Sequence, residues 1–376
     1  MRVIVLGVGG VGAMAAWQLA AAGCEVIALE QHQIDHDRGS SHGDSRIVRR
    51  VYHDPDYTRM MGGAYALWSE LMADAGDNRL FVPCGGIYFG PAYGPDLAEA
   101  EAALNAADVP YERFDAAECA RRYPAVRLEP DEAALYEPSM GYARASRAVR
   151  AAVALAARLG ATVREASRAA AIEPGSAGVA VRLDTGERIE ADRLVVAAGP
   201  WTGPLLHALG VELPITVTRQ PYVHLEPARR PELFGEDRFP VWIDCGANAY
   251  GFPRLGDLPG VKIGIHDFGE ATDPESVARG VRPEDRATAI AYAEHRFPDL
   301  SDTSVYEKVC LYSVTPDTHF IIDTMPGCDR VITISACSGH GFKFTPLMGR
   351  IAADMCTGRP PDYDLGRFRL ARFSKR

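Results

Sequence analysis

The stretch from Arg2 to Glu30, RVIVLGVGGVGAMAAWQLAAAGCEVIALE, leaves little choice of local architecture. An apolar run over Arg2 to Leu6 has the length of a buried strand. A glycine turn follows, then an Ala-rich stretch that predicts a helix closing near Gly23, then a second apolar run ending in Glu30. Strand, helix and strand in that order form a βαβ unit and point to an α/β fold. Gly7, Gly9 and Gly12 make G-x-G-x-x-G where strand gives way to helix. The first glycine permits the sharp turn, the second lets a pyrophosphate approach the backbone, and the third lets helix pack on strand. The helix N-terminus offers free N–H groups and a positive dipole to the phosphates. Glu30, about twenty residues on, accepts hydrogen bonds from a ribose hydroxyl and repels a 2′-phosphate. Val11 within the loop and Gln31 beside the acid join the same predicted cofactor-binding set. The motif by itself serves NAD and FAD alike.

A plain NAD domain would continue into alternating strands and helices. Here the chain runs instead into DRGSSHGDSRIVRRVYHDPD, rich in glycine, small hydroxyls and arginine. Gly39, Ser40, Ser41, His42 and Gly43 bring backbone and hydroxyl donors to a phosphate or a ring. Arg46, Arg49 and Arg50 add a basic cluster that the whole chain does not suggest, since 40 basic against 50 acidic residues leave a net charge of −10. That balance disfavours nonspecific nucleic-acid binding but not the holding of a small anion. Two later segments return to ligand binding. ADRLVVAAGPWTG (191–203) reads as an apolar strand ending in Ala198, Gly199, Pro200 and Trp201, preceded by a hairpin with Thr185 and Gly186 at its turn. RVITISACSGHGFKFTPLMGRIAADM reads as strand, turn (Ser338 to Lys343) and helix.

With 376 residues, 47% of them hydrophobic, the chain has room for about two domains. Its eight cysteines (24, 84, 119, 245, 310, 328, 337, 356) are scattered singly, so neither a disulfide framework nor a metal site is expected. The N-terminus lacks a signal-peptide pattern, and no apolar run approaches the roughly 20 residues of a membrane span. The expectation is a cytoplasmic protein that binds neither membrane nor nucleic acid. There is no internal repeat, and the Pro/Gly-rich stretches near 227–260 read as loops over the site.

Taken in order, G-x-G-x-x-G with Glu30, GSSHGDSRIVR, VVAAGPW, GFPRLGDLPGVKIGIHDFG, KVCLYSVTPDTHFIID and SGHGFKF resemble the monomeric sarcosine oxidase family of FAD-dependent amine oxidases, over nearly the whole chain. That family includes N-methyltryptophan and pipecolate oxidases. The resemblance implies a Rossmann-like FAD-binding domain from 1–85, 142–214 and 318–376, and a substrate domain from 86–141 and 215–317 on a large mixed or antiparallel sheet. It implies FAD held covalently through Cys310, with Gly339, Gly341, Phe342 and Lys343 beside it, and Arg46 packed on the flavin ring. The expected reaction oxidises the C–N bond of an N-methyl or cyclic amino acid to an imine and reduces O2 to H2O2, in a monomer.

The site residues follow by the same resemblance. Arg49 and Lys343 match the pair that binds the substrate carboxylate, an arginine fork with a lysine point charge. Lys262 matches the lysine that activates dioxygen, where positive charge stabilises developing superoxide. His266 lies four residues on, on the same strand face. His340 and Tyr312 match residues bordering the substrate, and Tyr250 an aromatic gate. Arg50 stands where a histidine is common and Ser45 where threonine is, and 226–250 carries no substrate signature. The alternative is a dehydrogenase passing electrons to a carrier, against which Lys262 argues.

Overall fold

Val3, Ile4 and Val5 are wholly buried, as are Ala28 and Leu29 of the next strand, Glu25–Leu29, as strands covered on both faces must be. In the computed structural model, which describes residues 1–256, 258–335 and 338–373, they are central in a six-stranded sheet. Cys337 therefore lies outside the described residues. The sheet order is Ile321–Met325, Cys328–Ser335, Arg193–Val196, Arg2–Leu6, Glu25–Leu29 and Thr162–Arg164. All neighbours are parallel except the first pair, an antiparallel hairpin. The helix Gly10–Ala21 follows the glycine turn as expected and packs against the helices Ala145–Arg158 and Thr345–Thr357. The Thr185–Gly186 hairpin forms from Val179–Leu183 and Arg188–Ala191, with Ala169–Pro174 as a third strand.

The second large sheet is mixed. It runs Glu270–Ala271, Thr216–Pro227, Val261–Ile265, Ala249–Phe252, Val241–Asp244, Gly86–Pro91, Glu132–Glu137 and Glu112–Asp115, with Leu300–Val314 also paired along Thr216–Pro227. Its one parallel pair joins Val241–Asp244 to Gly86–Pro91. This corrects the reading of 227–260 as loops. Two of its segments are strands, because Val241, Trp242, Ala249 and Phe252 bury apolar side chains while the backbone pairs with neighbours on both sides. The two sheets have separate cores. One gathers Val5, Met14, Trp17, Trp68, Ile332 and Met348, the other Ile87, Phe114, Val223, Trp242, Ile263 and Phe297. A short three-stranded sheet links them, with Gly141–Ala143 between Arg46–Val48 and Phe81–Pro83. No helix among the described residues is long and apolar enough to cross a membrane.

Candidate active site

The glycine turn is built for close approach. Gly7 has φ +88°, and a Cβ on Gly12 would lie 1.8 Å from the Gly7 carbonyl oxygen, so only glycine lets helix and strand meet there. The helix begins at Gly10 with no side-chain cap, leaving backbone N–H groups for a ligand, while the Gly10 N–H donates to Ser41 Oγ (2.9 Å). Glu30 accepts from the N–H groups of Val8 (2.9 Å) and His32 (3.0 Å), and His36 Nε2 is 3.4 Å away. Burial raises the Glu30 pKa, but the hydrogen bonds from His36, Val8 and His32 outweigh it and hold the group below the usual carboxylate range.

These groups line a cavity of about 360 Å³. It takes in Gly7, Gly9, Val11, Glu30, Gln31, Ser41, Arg46, Gly199, Trp201, Cys310, Gly339, Gly341 and Phe342. Three predicted members lie elsewhere, and one of them, Lys343, lines the second cavity described below. Gly12 sits beneath the turn, and His42 is buried beside neither cavity, with no partner for its Nε2 among the described residues. Burial, and then the charges of Arg46, Lys308 and Lys262, push the His42 pKa down to about 2, so it is a neutral imidazole.

A second cavity of about 330 Å³ shares Arg46, Cys310, Tyr312, Gly339 and Phe342 with the first. All seven residues predicted as catalytic line it: Arg49, Tyr250, Lys262, His266, Tyr312, His340 and Lys343. Four distant parts of the chain converge here. Cys310 and Tyr312 alternate onto one face of Leu300–Val314, opposite Gln220 and Thr218. Arg46 donates to the Ser40 carbonyl (2.9 Å) and approaches Cys310 Sγ at 3.6 Å. Gly339 must be glycine: at φ +78°, its Cβ would fall 2.3 Å from the Tyr312 ring and 2.6 Å from that of His266. His266 Nδ1 and the Tyr312 hydroxyl lie 3.2 Å apart. Burial, then the charges of Arg49 and Lys343, push the His266 pKa down to about 4.

Two cationic centres stand apart in this cavity. Lys343 Nζ donates to the Tyr52 hydroxyl (3.0 Å) and the His340 carbonyl (2.8 Å). The Arg49 guanidinium lies 4.5 Å from the Tyr52 ring centroid and uses one nitrogen on the Val51 carbonyl, while its Nε has no partner among the described residues. Burial, then Arg49, drive the Lys343 pKa well down; a carboxylate between the two cations would oppose that shift by favouring the charged amine. The other centre is Lys262, whose Nζ donates to Ser45 Oγ (3.2 Å) and sits 3.9 Å from the Tyr222 ring centroid. Its pKa is also driven well down, by burial and then by Arg46. The Tyr222 face opposes that loss of charge. The sequence reading missed Tyr52 and Tyr222; the signal for the first was its place three residues after Arg49, while the second carries no local signal.

A glycine turn at a helix N-terminus, a buried ribose-type acid and a cavity that shares lining residues with a cation-lined pocket fit a flavin dinucleotide. The chain belongs to the FAD dependent oxidoreductase family, which it matches over residues 2–355. It is 36% identical to the monomeric sarcosine oxidase of Streptomyces avermitilis, over 97% of this chain and 96% of that protein. It is 33% identical to human peroxisomal sarcosine oxidase, over 98% of this chain and 95% of that protein. Among solved structures it is similar to the open form of NikD, described as an unusual amino acid oxidase essential for nikkomycin biosynthesis. That match has a TM-score of 0.85 and 26% identity, and covers 98% of this chain and 96% of the other. The protein is thus an FAD-dependent oxidoreductase, and the dinucleotide fit of the first cavity agrees with that family.

Proposed function

We propose that the protein oxidises the C–N bond of a secondary amino acid, N-methylated or cyclic, to an imine, with O2 as the electron acceptor and H2O2 as the second product. The observation that carries this reading is the second cavity, where Arg49 and Lys343 sit around Tyr52 on one side and Lys262 over Tyr222 on another, with Cys310 shared with the dinucleotide cavity. FAD supplies the two-electron acceptor. Arg49 and Lys343 hold the substrate carboxylate, which orients the amine and its neighbouring carbon. The neutral imidazoles of His266 and His340 leave the carboxylate as the anion those cations meet, and Tyr250 and Tyr312 exclude water. Lys262 serves dioxygen by stabilising negative charge as it first gains an electron. The names of the relatives, sarcosine oxidases among them, support the amine donor.

Cys310 lies where the two cavities meet and is the proposed covalent tether for FAD. A thioether from Cys310 would keep FAD from being lost and would favour its acceptance of electrons. Residues 1–85, 142–214 and 318–376 form the FAD-binding part and 86–141 with 215–317 the substrate part, in a monomer acting in the cytoplasm. The test is an oxygen electrode with a panel of secondary amino acids. Oxygen uptake matched by peroxide supports the reading; flavin bleaching without oxygen uptake identifies a dehydrogenase instead.

A further inference from the structure

Arg49 and Tyr52 belong to a four-residue stretch, 49–52, that has no regular secondary structure. The strand before it, Arg46–Val48, pairs with Gly141–Ala143, and the pairing stops at Val48 opposite Gly141. Past that point the backbone needs other partners, because a buried N–H left unpaired costs about as much as a lost hydrogen bond. One side chain supplies them. Glu137, at the end of Glu132–Glu137 and wholly buried, accepts from the Arg50 N–H at 2.8 Å and the Val51 N–H at 3.3 Å through Oε2. Its other oxygen accepts from Ser139 Oγ (2.6 Å), with the Tyr65 hydroxyl 3.5 Å away and donating to the Ser139 carbonyl at 3.0 Å. The Val51 peptide fixed in this way presents its carbonyl to Arg49 Nη1 at 2.7 Å. Tyr52, next in the chain, receives Lys343 at 3.0 Å.

We infer that Glu137 is a positioning residue for carboxylate recognition: it fixes the 49–52 backbone so that Arg49 and the Tyr52–Lys343 pair face one anion. The inference rests on the proposed role of Arg49 and Lys343. Glu137 lines neither cavity, and it acts through the peptide units of Arg50 and Val51. A glutamine preserves the arrangement, since its carbonyl accepts the two N–H groups while its amide donates to the hydroxyls of Ser139 and Tyr65, which rotate to accept. A leucine removes both acceptors. An aspartate keeps the charge but withdraws the carboxylate by one methylene.

The test titrates a thioether-substituted acetate into flavin-loaded wild type and the variants Glu137→Gln, Glu137→Asp and Glu137→Leu, and reads the flavin absorbance. Glu137→Gln should bind within a few-fold of wild type, while Glu137→Asp and Glu137→Leu should bind about tenfold more weakly or worse. Reoxidation of the reduced enzyme by O2, which depends on Lys262, should stay at the wild-type rate in all three. If Glu137→Leu does not accumulate as folded holoenzyme, Glu137→Asp carries the test. A folded Glu137→Asp or Glu137→Leu with wild-type anion affinity overturns the inference, as does a Glu137→Gln as impaired as the leucine, or a parallel loss of reoxidation. The neutral amide of the same acid separates the two claims. If wild type binds amide and acid alike, the role of Arg49 and Lys343 fails; if wild type discriminates and the variants do so equally, only the inference about Glu137 fails.

Discussion

The two cavities are made of different materials. The first is walled by backbone: glycines at the turn, a helix N-terminus, and an acid whose oxygens are already engaged by N–H groups. The second is walled by side chains brought from 49, 250, 262, 312 and 343, and its chemistry comes from cations buried at a cost. Backbone recognition needs absent side chains at short spacing. Side-chain recognition needs present ones at long range. A methyl group at the glycine turn should therefore destroy the first cavity and leave the second untouched, while charge removal at Arg49, Lys262 or Lys343 should do the reverse.

The largest effect expected is at Gly12. A Cβ there meets the Gly7 carbonyl oxygen at 1.8 Å, which no rotamer relieves, so Gly12→Ala should yield protein without bound flavin, read from the ratio of visible to ultraviolet absorbance. Normal flavin content would remove the distinction between the two cavities. Next comes Lys262→Met, which keeps bulk and removes charge. Reoxidation of reduced enzyme by O2 should slow by roughly a hundred- to a thousandfold, about 2.7 to 4 kcal/mol, while anaerobic reduction by substrate falls much less. Stopped-flow measurement of each half-reaction checks it, and a wild-type rate would leave Lys262 as a structural lysine.

Arg49→Met should retain flavin and reoxidation but weaken binding of a carboxylate ligand by roughly ten- to a hundredfold, about 1.5 to 3 kcal/mol for a charge-assisted contact. The smallest effect is on stability. Burial, then Lys262, push the His224 pKa from 6.5 down to about 3. Between those values the unfolded chain binds a proton that the folded one does not, so stability is intact above about pH 6.5 and falls as pH drops toward 3. At pH 5 this one histidine costs about 2 kcal/mol. His224→Gln should flatten the decline between pH 7 and pH 5 in urea unfolding by about that amount.

The same contrast explains what was legible from residues alone. The βαβ unit, the hairpin at Gly186 and the strand before Gly199 are local, and local patterns of glycine and apolar runs specify them. The strands Val241–Asp244 and Ala249–Phe252 were not legible, because prolines and glycines flank them and their pairing partners lie at 86–91 and 261–265. In the site, a motif resemblance pointed to seven side chains that line one cavity. It did not reach Tyr222, whose ring lies under Lys262 only through strand pairing of Thr216–Pro227 with Val261–Ile265. Nor did it reach Glu137, although an acid closing the apolar run EAALYE is the kind of local mismatch that marks a buried polar role.

The central claim is that Arg49 and Lys343 hold a carboxylate on the amine being oxidised. The most direct measurement mixes wild-type enzyme anaerobically with a secondary amino acid that bleaches the flavin, and separately with its primary amide, and compares the second-order rates of bleaching. The amide should react roughly ten- to a hundredfold more slowly, since it lacks the charge both cations engage. Equal rates for acid and amide would contradict the claim.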